Sequence, residues 1–119
     1  MSKLTANKLN ANETETLVQA KLDWILGFTQ PEKIWLVVSA ARGEMTDASD
    51  IDIVLLFADA EHKSRSMGLM YRNPCPLEWP TDLLPYTKDE FEKSAAKGGG
   101  MCWLALREGR ILFQKEEQA

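Results

Sequence analysis

Two aspartates spaced one residue apart, Asp50 and Asp52, stand at the head of the apolar run Ile51-Asp52-Ile53-Val54-Leu55-Leu56-Phe57. In a strand, successive side chains alternate across the sheet. Both carboxylates would then share one side, while Ile51 and Ile53 point to the other, into a core. Two carboxylates on one face repel each other unless a cation sits between them. Hard divalent ions with oxygen ligands, magnesium above all, suit such a pair, and the ions would in turn hold the phosphates of a nucleotide. Taken alone, the pair reads better as solvent-facing acids at a strand start. The residues upstream tip the balance. Ser39 ends another short apolar run, small residues follow it, and ten residues separate it from Asp50. A strand that ends in a tight turn opening a helix exposes backbone N–H groups able to cradle phosphate. Arg42 in that turn supplies positive charge or pairs with Glu44, Gly43 gives backbone freedom, and Ser39 could equally be a plain helix N-cap.

Those residues need elements to hold them. The first eleven residues are polar and without a clear period, which suggests a frayed arm. A single domain is expected over 12–119. Asn12 and Glu15 form a capping-box signature. Leu17, Val18, Lys21, Leu22, Trp24, Ile25 and Phe28 then repeat at helical period, and Gly27 and Pro31 close that helix. Residues 34–39 and 50–57 read as strands, with a weakly patterned helix over 58–70. Thr81 to Tyr86 is a third strand. Pro85 cannot donate to a ladder, so that strand lies at a sheet edge or ends there. Thr87 with Glu90 opens a helix to about Lys97, Gly98-Gly99-Gly100 is a flexible connector, Leu104 to Arg107 is ambiguous, Glu108-Gly109-Arg110 is a tight turn, and Ile111-Leu112-Phe113 is a final strand. Strands alternating with helices predict an α/β or α+β fold, a small mixed β-sheet flanked by helices.

Composition narrows the function classes. A chain of 119 residues is near the commonest domain size, too small to hold one domain for catalysis and another for recognition. Hydrophobic residues make up 45%, enough for a core. No apolar run is long enough for a transmembrane helix, and the N-terminus lacks a signal-peptide core, so a cytoplasmic location is expected. A net charge of −4 argues against a broad duplex-DNA-binding face. Cys75 and Cys102 form no Cys-x-x-Cys pair and His62 is the sole histidine, which disfavours zinc. Both thiols are expected to be reduced and space-filling. His62 reads as a surface helix residue. Trp24, Trp35 and Trp103 read as core, and Trp79 as exposed and suited to an interface.

From Ser39-Ala40-Ala41-Arg42-Gly43-Glu44 through Ser49-Asp50-Ile51-Asp52-Ile53, the chain resembles the DNA polymerase β-like nucleotidyltransferases. It is similar in particular to the minimal nucleotidyltransferases, the antitoxin-type branch, whose pattern runs Gly-Ser, an Ala-Arg-Gly-Glu turn, then Ser-Asp-x-Asp. Residues 82–91 resemble that branch's third-carboxylate strand and following helix, and 107–113 its closing segment. The resemblance implies a nucleotidyltransferase-like fold and two-metal nucleotidyl transfer. Asp50, Asp52 and Asp82 would be the catalytic metal ligands of two Mg2+ ions roughly 3.5–4 Å apart. Ser39, Arg42, Gly43 and Ser49 would bind the nucleotide, ATP or another nucleoside triphosphate. Glu78 is a rival to Asp82. One position departs from the pattern: Val38 stands where the family has glycine. A β-branched residue cannot take φ > 0 cheaply and crowds a triphosphate there.

The resemblance also implies a partner. Such proteins commonly pair with a separate helical protein of the HEPN type, and some are antitoxins that modify it. AMP moved from ATP to a hydroxyl of that partner is the expected reaction. A contrasting reading, kept open by Val38, is a catalytically weak or inactive module that neutralises a partner by binding. A small-molecule modifier would need an acceptor pocket that so short a chain does not make alone. Homo-oligomerisation is left open by the sequence.

Overall fold

The computed structural model describes residues 11–37, 51–76 and 81–116. Helix α1, Ala11–Phe28, buries Val18, Leu22 and Ile25 at the expected three- and four-residue spacing. It stops where Thr29 donates both its N–H and its hydroxyl to the Ile25 carbonyl, at 3.0 and 2.8 Å. Strands β1 (Lys33–Val37), β2 (Ile51–Phe57), β3 (Thr81–Thr87) and β4 (Arg110–Gln114) form one sheet in the order β3-β2-β1-β4. β2 runs parallel to β3, and β1 is antiparallel to both β2 and β4. The sheet is therefore mixed. Helix α2, Ala60–Arg72, makes the crossover that a parallel β2–β3 pair requires. Pro85 lies within β3, on an edge strand bonded only to β2, so its missing N–H can face away from the ladder.

Alternation along the strands divides the core in two. Ile34, Leu36, Ile53, Leu55 and Phe57 pack with Val18, Leu22 and Ile25 of α1 and Met70 of α2. Trp35, Val37 and Val54 on the other face pack with Phe91 of helix α3, Lys88–Ala96, and with Cys102 and Ala105 of helix α4, Met101–Glu108. Trp35 stacks on Phe91 with centroids 4.9 Å apart, and Tyr86 meets Phe91 edge-on at 6.3 Å. Each fully buried side chain of this size contributes about 1.5–3 kcal/mol, so both faces of the two central strands are held firmly. Across the β4 edge, Arg110 grips Glu15 of α1 with two hydrogen bonds, 2.6 and 2.7 Å. That guanidinium holds the Glu15 carboxyl below the usual carboxylate range, and Glu15 raises Arg110 in return.

Thr87 and Glu90 form the expected capping box at the start of α3. Glu90 also accepts from Lys63 of α2 at 2.8 Å, and that bond, with the Thr87 N–H, lowers its carboxyl below the ordinary range. A lowered carboxyl contributes stability that is complete above its unfolded value and disappears as pH falls through the folded one. Thermal melts from pH 7 downward should therefore lose stability below about pH 4. Glu90→Gln should reduce that loss and start from a lower melting temperature at pH 7.

Several expectations need correcting. Ala11 is already helical, so Asn12 does not stand at the helix boundary, and the Glu15 carboxylate is committed to Arg110 instead of a cap. The ambiguous stretch 104–107 is the body of α4, whose apolar face, Cys102 and Ala105, seals the sheet. Gly98, Gly99 and Gly100 take φ of 73°, 77° and 85°, the left-handed region that favours glycine, and they join α3 directly to α4. Gly109 caps the end of α4, and the chain enters β4 with no intervening loop. A Cβ added at Gly109 would lie 2.5 Å from the Ala105 carbonyl oxygen and 2.9 Å from its Cα. Those are backbone atoms that cannot swing aside. Gly109→Ala should therefore cost about 1–3 kcal/mol, as overpacked sites do, measurable by urea unfolding. Residues 1–10 of the expected arm lie outside the described residues. No helix among the described residues is long and apolar enough to cross a membrane.

Candidate functional site

The parallel register of β2 and β3 sets Asp52 directly beside Asp82. Adjacent strands lie about 4.8 Å apart, and register partners in a parallel pair point to the same face. Alternation puts both side chains on the α3–α4 face, continuing the row Val54–Leu56 on β2 and Leu84–Tyr86 on β3. Asp52 is half-buried and Asp82 exposed. Two like charges side by side weaken a sheet, and here the strand beneath them is deeply buried, with Ile53, Val54 and Leu55 fully covered. Val37, at the end of β1, stands opposite Asp52 on the other side. A rigid central strand thus carries a carboxylate to the sheet's end, with a second presented from its neighbour. All their donor atoms are hard oxygens, the set that a divalent cation takes.

Asp52 and Asp82 are the two sequence-predicted site residues that the structure places, and it brings them together. Ser39, Arg42, Gly43, Ser49 and Asp50 lie outside the described residues, as do Val38, Glu78 and Trp79. Among the described residues there is no group of three or more His, Cys, Asp or Glu side chains that could hold a metal ion. The remaining carboxylate of the expected set is Asp50.

The rest of the titratable and aromatic inventory falls into structural roles. Trp35 is core, as expected. Trp24 is half-buried and donates its ring N–H to the Asn73 carbonyl at 2.8 Å, tying α1 to the end of α2. Trp103 lies half-buried beneath the Arg107 guanidinium at 4.7 Å. Cys75 and Cys102 are free thiols, and Cys102 is fully buried. Burial, with Cys102 beside it, pushes the Tyr86 hydroxyl above its ordinary value. His62 is exposed on α2, its ring 2.7 Å from Asp59, the helix N-cap. The Asp59 carboxyl is held low by the His62 backbone N–H first and by the ring second. One feature escaped the sequence reading. Lys21, placed on the apolar face of α1 by its period, is 3% exposed. A lysine is rarely so buried unless paired, and helical spacing alone does not distinguish a buried lysine from one that reaches out to water.

No protein-family model matches the chain, and no curated protein matches it. Among solved structures, the chain is similar to a provisionally assigned nucleotidyltransferase from Sulfolobus solfataricus. The two are 16% identical, the superposition covers 87% of this chain and 82% of the other, and the TM-score is 0.51. At that identity the likeness shows the fold: this chain has a nucleotidyltransferase-like α+β fold with a four-stranded mixed sheet.

Proposed function

We propose that this protein is a metal-dependent nucleotidyltransferase that moves a nucleoside monophosphate, AMP from ATP, onto a hydroxyl acceptor. The observation that carries the reading is the Asp52–Asp82 register at the head of β2 and β3, joined to the Ser39–Asp52 sequence pattern. Asp50, Asp52 and Asp82 would hold two Mg2+ ions. When bound, these supply positive charge to the attacking and leaving oxygens. Ser39 holds the β- or γ-phosphate, with Arg42, Gly43 and Ser49 around the triphosphate. Asp82 accepts the acceptor hydroxyl's proton. The hydroxyl oxygen bonds to the α-phosphorus, the α–β bridging bond breaks, and pyrophosphate leaves.

The resemblance points to a helical protein of the HEPN type, in a cytoplasmic toxin–antitoxin pair, as the carrier of the acceptor hydroxyl. Incubating the protein with labelled ATP, magnesium and the product of the neighbouring reading frame tests the proposal. Label is expected on the partner. Absence of transfer, together with absence of ATP binding by calorimetry, would sink it. Val38 in the glycine's place favours one second reading, a fold that neutralises its partner by contact alone. Neutralisation unchanged when Asp50 and Asp52 are both replaced by Asn would select that reading.

A further inference from the structure

The proposed transfer needs a hydroxyl acceptor, and the chain's own surface offers a phenol. The sequence has two tyrosines. Tyr86 is half-buried edge-on to Phe91, and burial makes its hydroxyl hold its proton more tightly. Tyr71 is 89% exposed in the last turn of α2, so its hydroxyl stands clear of the molecule. Phenols ionise near about pH 10, far more readily than serine or threonine hydroxyls, and they reach further from the backbone. The fold also carries Tyr71 to the right end of the sheet. α2 starts beyond Phe57 and leads back to Thr81, the register partner of Ile51. Tyr71 lies about 17 Å along the helix from Ala60, at 1.5 Å per residue. Asp52 lies about 17 Å back along β2 from Phe57, at 3.3 Å per residue. Tyr71 is therefore level with Asp52 and Asp82. That end of α2 is anchored. Asn73 donates its backbone N–H to the Met70 carbonyl at 3.2 Å and its side-chain amide to the Leu69 carbonyl at 2.9 Å, and its own carbonyl accepts from Trp24. The Arg72 guanidinium lies back over Gly68, where an added Cβ would stand 3.5 Å from Nη1. Residues three and four apart share a helix flank, so this cation lies beside the phenol, as suits a hydroxyl that approaches a triphosphate.

We infer that Tyr71 is itself an acceptor: one copy of this protein adenylylates the Tyr71 hydroxyl of a second copy. The inference rests on the nucleotidyl transfer proposed above. Met70 packs α2 against the sheet face of Ile53 and Leu55, whereas Asp52 and Asp82 lie on the α3–α4 face. Within one chain the sheet thus separates the phenol from the carboxylates, and a second molecule must supply it. The phenol oxygen bonds to the α-phosphorus of the ATP, the α–β bridging bond breaks, and pyrophosphate leaves. The phenolic proton passes to the Asp82 carboxylate of the copy that holds the ATP. The product is a tyrosyl phosphodiester whose single negative charge lies beside Arg72.

The test mixes full-length heavy-isotope Asp52→Asn protein, which can accept but not transfer, with ordinary parent protein, magnesium and ATP. Tryptic peptides are then read by mass spectrometry. AMP is expected on Tyr71 of the heavy peptide 66–72, at an initial rate that rises in proportion to the parent concentration. Tyr71→Phe removes only an exposed hydroxyl, so it should melt with the parent, carry no AMP on that peptide, and still label the heavy protein. AMP confined to the ordinary copies would overturn transfer between molecules. AMP on other residues with Tyr71 unmodified would overturn the acceptor. A parallel reaction containing the product of the neighbouring reading frame separates the two proposals. Label on that partner with none on Tyr71 overturns this inference alone, and label on neither overturns both.

Discussion

Asp52→Asn should lower nucleotidyl transfer by at least about 10³-fold, because charge stabilisation by a bound metal is worth several kcal/mol and each 1.4 kcal/mol is tenfold. The fold should survive. Asparagine matches aspartate in shape, the residue is only half-buried, and its backbone stays in register between Val37 and Asp82. Two measurements separate lost chemistry from lost structure. Magnesium with ATP should raise the melting temperature of the parent protein, as any ligand selective for the folded state does, and that increment should vanish in Asp52→Asn. The metal-free protein should remain folded, with an unchanged far-ultraviolet circular dichroism spectrum. Asp82→Asn should behave differently. Its carboxylate is assigned the acceptor's proton, so the rate of transfer should fall while nucleotide affinity falls less. Full transfer by Asp52→Asn would refute the metal-site assignment.

The register that supports this prediction could not be read from the sequence. Spacing places Asp50 and Asp52 on one face of a strand, because the two-residue period is local. It cannot place Asp82, thirty residues beyond Asp52, because strand pairing is a property of the assembled sheet. What was legible was indirect: the resemblance of residues 82–91 to a third-carboxylate strand, and Pro85, which called for an edge or a strand end, in what is an edge strand. The Thr87–Glu90 box was legible for the same local reason as the strand period, since both partners lie within one turn. The α1 start was misread because Glu15 answers to Arg110, ninety-five residues away. Helix α4 was obscured by its length. Eight residues barely exceed two turns, and its conformation is fixed by Cys102 and Ala105 closing over Trp35 and Val54, a tertiary cause that overrides weak propensity. The burial of Lys21 and of Ser66 is illegible for a related reason. Each sits on a plausible helical face, and only the neighbouring element decides whether that face is covered.

Phe57→Ala should be the most damaging single change to stability, costing about 3–5 kcal/mol as buried aromatic truncations do. Phe57 closes β2 with no exposed surface and packs in the cluster that joins α1, α2 and the sheet. The position gives little room for collapse. Ile25 and Ile34 in the same cluster are also fully covered, and the backbone on either side is pinned, since Leu56 accepts from the Glu32 N–H at 2.7 Å and α2 begins after Asp59. A cavity left there would stay open. For a domain of this size the loss is a large part of a typical 5–15 kcal/mol total, a fall in melting temperature of roughly 10–25 °C. Ile53→Ala, also fully buried on β2 but beside Asp52, gives the contrast. Both variants should be destabilised. At a temperature where each remains folded, Phe57→Ala should retain nearly full magnesium–ATP binding per folded molecule, because the altered packing is at the far end of the strand. Ile53→Ala should lose affinity as well, because the strand that presents Asp52 is then loosened where the carboxylate is carried. Equal ligand affinity in the two variants would show that rigidity at the head of β2 does not matter to the site.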